Sequence, residues 1–228
     1  MIYSILFNNT LTPQEAVLIL FIGLLVFFVS LSMHEFAHGL AAHLMGDRTP
    51  KLSGRLTLNP IQHLDLFGFL FFVFFGVGWA KPMPVNPLNF KKYRTGMRWV
   101  SIAGICANIV LGLLSAGIYA ILLATVGIPS YAMEIVYLVL EYFMIVNSAL
   151  ALFNILPIYS LDGFNFISTF MKADNKFIKF NLRNGFRILF GILLGSMLIE
   201  LLFNIDLFGW YLSLLYNYVF APIALLGV

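Results

Sequence analysis

Residues 16–45 read AVLILFIGLLVFFVSLSMHEFAHGLAAHLM. The portion 16–33 carries no charge, and a helix needs about 20 apolar residues to cross the hydrocarbon core of a bilayer. Just upstream, Thr12-Pro13-Gln14-Glu15 supplies a cap, a proline suited to the first helical position and an acid for the first turn. The helical pattern does not stop at Met33. It continues through His34, Glu35 and His38 and ends near Gly46-Asp47, so polar side chains sit inside a membrane helix. The segment before Thr12 has no Lys or Arg and no small-residue cleavage site, which argues against a removable leader.

The whole chain shares this character. Of 228 residues, 61% are hydrophobic and 10% charged, and the mean hydropathy is +0.95. Soluble domains carry about 25% charged residues, too many for this composition to match, so most of the surface must face lipid. Further long apolar runs cover 99–126, 131–158, 188–203 and 207–226. The expected fold is an all-α polytopic membrane protein of about five spans, in one membrane-embedded domain over 1–228. Its core would occupy about 14–170 and a C-terminal helix pair about 185–227.

Between the first and second spans the pattern changes. Gly54-Arg-Leu-Thr-Leu-Asn59 alternates and Pro60 closes it, which predicts a short strand. Residues 66–79 are apolar but short and hold Gly68, Gly76 and Gly78, a length that suits a re-entrant segment. Pro82, Pro84 and Pro87 then exclude helix and predict an extended edge. Gly191-xxx-Gly195 offers a close-packing face for a neighbouring helix. Cys106 is alone, so no intramolecular disulfide can form, and its apolar context predicts a small buried residue.

All thirteen Lys and Arg fall at 48–55, 81–98 and 172–187. Short cationic loops are retained on the cytoplasmic side. A re-entrant 66–79 puts all three there, with the C-terminus beside them and the N-terminus outside, in a cell membrane. These loops lack the aromatic interleaving of nucleic-acid sites, so no nucleic-acid partner is expected.

Titratable residues within a membrane helix are costly and mark function. His34 and His38 are four apart, on one helical face, where two imidazoles can share one tetrahedral zinc ion. Glu35 follows the first histidine, close enough to take a proton from a water on that ion, which is the HExxH pattern of metalloproteases. A catalytic zinc site takes three protein ligands and leaves one position open. Asp162, in Asn154-Ile-Leu-Pro157-Ile-Tyr-Ser-Leu-Asp162-Gly163, is the candidate third ligand; the competing reading is a carboxylate that caps a turn. Asn108 reads equally as an interhelical hydrogen-bonder and as a site-lining amide. His43 reads as a helix-end residue, and His63 as one that hydrogen-bonds locally.

HEFAH and NILPIYSLDG, in this order, resemble the site-2 protease family of intramembrane zinc metalloproteases. GRLTLNPIQHLDLFG, GWAKPMPVNP and AGICAN extend the likeness, which runs from about Ser30 to Gly163 and matches compact members without an inserted PDZ domain. The resemblance implies one Zn²⁺ held by His34, His38 and Asp162, with Glu35 as general base. It implies that Asn154 holds the substrate backbone or the developing oxyanion, and that the substrate is a membrane-spanning protein or peptide cut near the cytoplasmic side. The chain departs from the family where two prolines are common, at Tyr159 and Ser160, and where one is common, at Ile105. A membrane metal-ion carrier using the same histidines is the alternative. Glu35 separates the two, because only hydrolysis needs it.

Overall fold

The computed structural model describes residues 11–75, 78–172 and 174–227, without the side chains of Phe74 and Phe75. Most of the segment on which the leader reading rests, residues 1–10, lies outside them. In chain order the main helices are α1 (Pro13–Leu44), α2 (Leu66–Phe75), α3 (Tyr93–Thr125), α4 (Tyr131–Ile155), α5 (Asp162–Ser168), α6 (Lys176–Phe203) and α7 (Leu207–Leu212). Single helical turns stand at Thr49–Leu52, Pro60–His63 and Ala221–Ala224. Among the described residues the fold is all-α, and four helices (α1, α3, α4 and α6) are long and apolar enough to cross a membrane.

α1 begins as its sequence predicts. The Thr12 side chain accepts from the Glu15 N–H, the Glu15 carboxylate reaches back to the Thr12 N–H, and Pro13 opens the helix. α3 builds the centre of the bundle through a stripe with four-residue spacing. Gly96, Val100, Gly104, Asn108, Gly112 and Ala116 are all buried. In lipid no solvent force drives helices together, so close approach relies on small residues and on polar contacts. This stripe supplies both: Gly104 meets the α1 imidazoles, and Gly112 receives the Phe220 ring.

The expected fifth span is not one helix. α7 ends at Leu212, and a π turn at Tyr216–Phe220 and a helical turn at Ala221–Ala224 follow. The break has a local cause on α4. Ser148 Oγ donates to Leu212 O at 2.7 Å and accepts from the Tyr216 N–H at 3.1 Å. These are the two groups that would bond each other in a continuous helix, so a hydroxyl is inserted into the ladder.

This segment also reverses the expected position of the C-terminus. Phe208 lies against Phe153 and Tyr211 bonds Leu152 O, at the end of α4 near the basic loops. Phe220 then meets Gly112, and Gly227 meets the Ala120 backbone. Gly227 therefore ends near the far end of α3, away from the basic loops.

The β expectation also fails among the described residues. Residues 54–59 form no strand, because Arg55 turns inward and donates to Lys81 O at 2.7 Å rather than lining a ladder. One isolated antiparallel bridge, Leu64 to Ala80, is all the pairing present. That bridge, with the Lys81 N–H on His63 O at 2.9 Å, returns the chain to where α2 began. A methyl group on Gly68 would collide with the Trp79 backbone, so the descending helix and the returning chain touch. The 66–79 segment therefore enters and leaves at one end of the bundle. Cys106, expected inside, is exposed on the outer face of α3.

Candidate metal centre

α1 and α3 cross where the HEFAH turn meets the small-residue stripe. His34 and His38 are buried, and a methyl group built on Gly104 would lie 2.5 Å from both His34 Cε1 and His38 Nε2. Only a residue without a side chain leaves room for the two rings.

Each imidazole is held by Nδ1. His38 Nδ1 lies 2.7 Å from Val100 O, a carbonyl that can only accept, so that nitrogen carries the hydrogen. His34 Nδ1 lies 2.6 Å from Asn108 Oδ1. Both Nε2 atoms then present lone pairs, 3.0 Å apart. Pro157 ends the helical run of α4, and the chain turns through Ser160 to start α5 at Asp162. Ser160 has φ 85°, a left-handed backbone that a proline, held near −65°, could not adopt. This is where the chain departs from the proline pair. Gly163 fits directly against Ile155 O, which swings Asp162 toward α1. Its Oδ2 lies 3.3 Å from His34 Nε2 and 3.1 Å from His38 Nε2.

The three atoms form a metal-type group. Ligand atoms placed tetrahedrally at zinc distances stand roughly 3.3 Å apart, close to the separations observed here. Asp162 Oδ2 is buried and makes no hydrogen bond. Two lone pairs and a carboxylate converging in a dry site suit a divalent cation of borderline softness.

Glu35 stands beside this group, and its Oε2 accepts the Met83 N–H at 2.7 Å. The proline-rich extended segment thus lies directly against the candidate general base. Asp47 anchors that segment. Fully buried, it accepts from the Asn86 N–H, the Asn89 amide, and the Thr49 N–H and hydroxyl. Burial pushes the Asp47 carboxyl up, but these hydrogen bonds outweigh it and hold it below the usual range.

The two amides expected at the substrate are placed differently from each other. Asn154 donates back to Leu150 O on its own helix. Asn108 is fully buried, with its oxygen on His34 and its nitrogen on Asn147 Oδ1 at 2.7 Å. His43 stands in the last turn of α1, and His63 bonds locally to Thr57 O at 2.8 Å. Reading the sequence missed Asp47, Gly104 and Asn147. The four-residue spacing of small residues around Asn108 was the available signal for Gly104; nothing local marked the other two.

Two curated proteins are similar to this chain. The chain is 42% identical over 146 residues to the Bacillus subtilis protein named "Putative zinc metalloprotease YwhC", covering 61% of this chain and 64% of that one. It is 25% identical over 173 residues to the Mycolicibacterium smegmatis protein named "Putative zinc metalloprotease Rip2", covering 74% of this chain and 64% of that one. In both cases the match spans less than two thirds of the relative's length. No family model and no solved structure matches. The chain is thus similar to two relatives named as putative zinc metalloproteases, and its motifs resemble the site-2 protease family.

Proposed function

We propose that the protein is an intramembrane zinc endopeptidase that cuts membrane-spanning substrates near the end of the bundle carrying its basic loops. We further assign that end to the cytoplasm, since short cationic loops are retained there. The observation that carries the reading is the convergence of His34, His38 and Asp162 next to Glu35, in helices apolar enough for lipid. At this same end Arg98, in the 81–98 loop, donates to Thr169 Oγ1 and stacks on Phe170, just ahead of the basic segment 172–187.

When bound, zinc supplies a Lewis acid that acidifies water and polarises a carbonyl. His34 and His38 offer Nε2 and Asp162 offers Oδ2 to hold it. Glu35 takes the proton from the attacking water and passes it to the leaving amine, the general acid–base role that contributes about 10²–10⁴-fold. Asn154 has a second amide hydrogen beyond the one on Leu150 O, and we assign that donor to the substrate backbone or its developing oxyanion. A membrane helix closes its own backbone bonds, so a substrate must unwind before cleavage. The segment 79–86 is where it would lie, as an added strand, because Met83 already brings this backbone to Glu35.

The test is Glu35→Gln in purified protein, with metal analysis and cleavage of a single-span reporter. The variant should retain about one zinc per chain and lose cleavage. Cleavage at the wild-type rate would overturn the assignment. Disrupting the 79–86 edge should slow cleavage with zinc content unchanged, and an unaltered rate would remove the strand-pairing role.

A further inference from the structure

We infer that Asn147, on a helix that contributes no ligand, sets the ligating tautomer of His34; this rests on the reading of His34 as a zinc ligand. The chain of constraints starts at Phe143 O on α4. A backbone carbonyl only accepts, so the Asn147 amide atom 2.8 Å from it must be Nδ2. The other hydrogen of that nitrogen reaches Ser30 Oγ on α1 at 2.9 Å. Turned over, Asn147 would set its oxygen against the Phe143 carbonyl, so the flipped amide is excluded.

With Nδ2 committed, Asn147 Oδ1 faces α3 and accepts from Asn108 Nδ2 at 2.7 Å. Asn108 must then present Oδ1 to His34 Nδ1, 2.6 Å away. That oxygen requires a hydrogen on Nδ1 and leaves the lone pair on Nε2, the atom facing Asp162. Ser30, Asn108 and Asn147 are each 0% exposed, so solvent does not compete for these bonds.

His38 reaches the same tautomer directly, through the Val100 carbonyl. His34 faces a side-chain amide, which by itself could turn over and present a donor. The hydrogen would then move to Nε2 and remove the lone pair from the metal side. Asn147 prevents this and is a positioning residue. Partners of this kind are typically worth about 10–100-fold in metal affinity.

The experiment uses the full chain in detergent micelles, with Zn²⁺ titrated against a chromophoric chelator. Imidazole nitrogen-15 shifts of the metal-free protein are read at a pH where the rings are neutral. Asn147→Leu should weaken zinc binding about 10–100-fold and move the His34 signals toward Nε2–H, while those of His38 stay unchanged. Asn108→Asp places an acceptor on His34 whichever way the group is turned, so adding it to Asn147→Leu should restore both affinity and tautomer.

Wild-type affinity and an unmoved His34 in Asn147→Leu would overturn the inference. So would a loss of affinity that Asn108→Asp fails to rescue. Should Asn147→Leu not fold, the wild-type spectrum decides, because a neutral His34 protonated on Nε2 is incompatible with the relay. A wild type that takes up no zinc overturns the metalloprotease reading instead, and the wild-type tautomer still tests Asn147.

Discussion

α1 and α6 are alike in hydropathy and opposite in surroundings. Their most apolar windows average 2.8 and 2.1, yet 44% of the first is buried in the protein and 0% of the second. The difference lies in the minority residues. α1 buries Ser30, His34 and His38 against α3 and α4, whereas the buried residues of α6 (Ile178, Asn181 and Gly185) are confined to its first third. Lipid tails solvate a leucine as well as another leucine does, so apolar content does not determine which face turns inward. Polar groups that need partners, and small residues that admit them, make that choice.

The largest effect expected from breaking this contrast is at the ligands. His38→Ala or Asp162→Asn should lose bound zinc and reduce reporter cleavage to background. Truncating Leu198 or Leu201, exposed on α6, should leave both unchanged. Retained zinc in either ligand variant would dissolve the distinction between the two helices.

Glycines sharpen the comparison, because the same substitution can be made on both sides of it. Gly104→Ala puts a methyl group into the imidazole pair, and zinc affinity should fall by at least about tenfold, as for loss of a ligand-orienting group. Gly191 and Gly195 have open space beside them. Their alanine variants should cleave normally and gain up to about 1 kcal/mol from helix propensity. Equal outcomes at Gly104 and Gly191 would show that the α1–α3 crossing is looser than described.

Smaller effects belong to the polar bonds outside the metal group. Asp47→Asn replaces an all-acceptor carboxylate with a group that sets a donor against other donors. At pH 7 it should cost about 1–3 kcal/mol of unfolding stability. The native Asp47 carboxyl is lowered in the fold, so its contribution is complete above the ordinary aspartate value near 3.9 and is lost as pH falls below it. Unfolding of wild type and variant should therefore converge under acid, and a gap that widens there would contradict the assignment. Ser148→Ala removes the hydroxyl at the break between α7 and the π turn. Interhelical hydrogen bonds in membrane proteins average about 0.6 and reach about 1.7 kcal/mol, so thermal stability should drop by that order with zinc binding unchanged.

The predicted cap at Thr12 and four of the five long helices match the structure, because each rests on local chemistry or on length. The fifth span was misread for the complementary reason. Residues 207–226 are apolar enough to cross, but the interruption comes from Ser148 on another helix, and no pattern within the segment announces it. The strand at 54–59 failed similarly, since Arg55 found Lys81 O and left no ladder. Cys106 shows the same limit, its apolar neighbours being turned toward the outside.

Sequence alone determined that the chain belongs in a membrane and that His34, Glu35 and His38 share one turn of one helix. Composition and short-range spacing suffice for that, since helix geometry places residues four apart on one face. Tertiary structure decided which carboxylate joins them, which glycine makes room, and which amides orient the rings. Those choices bring residues 74 and 39 positions apart into hydrogen-bond contact, His34 with Asn108 and Asn108 with Asn147. Contacts over such separations depend on how helices pack, and packing in lipid follows from the pairing of buried polar groups rather than from hydropathy.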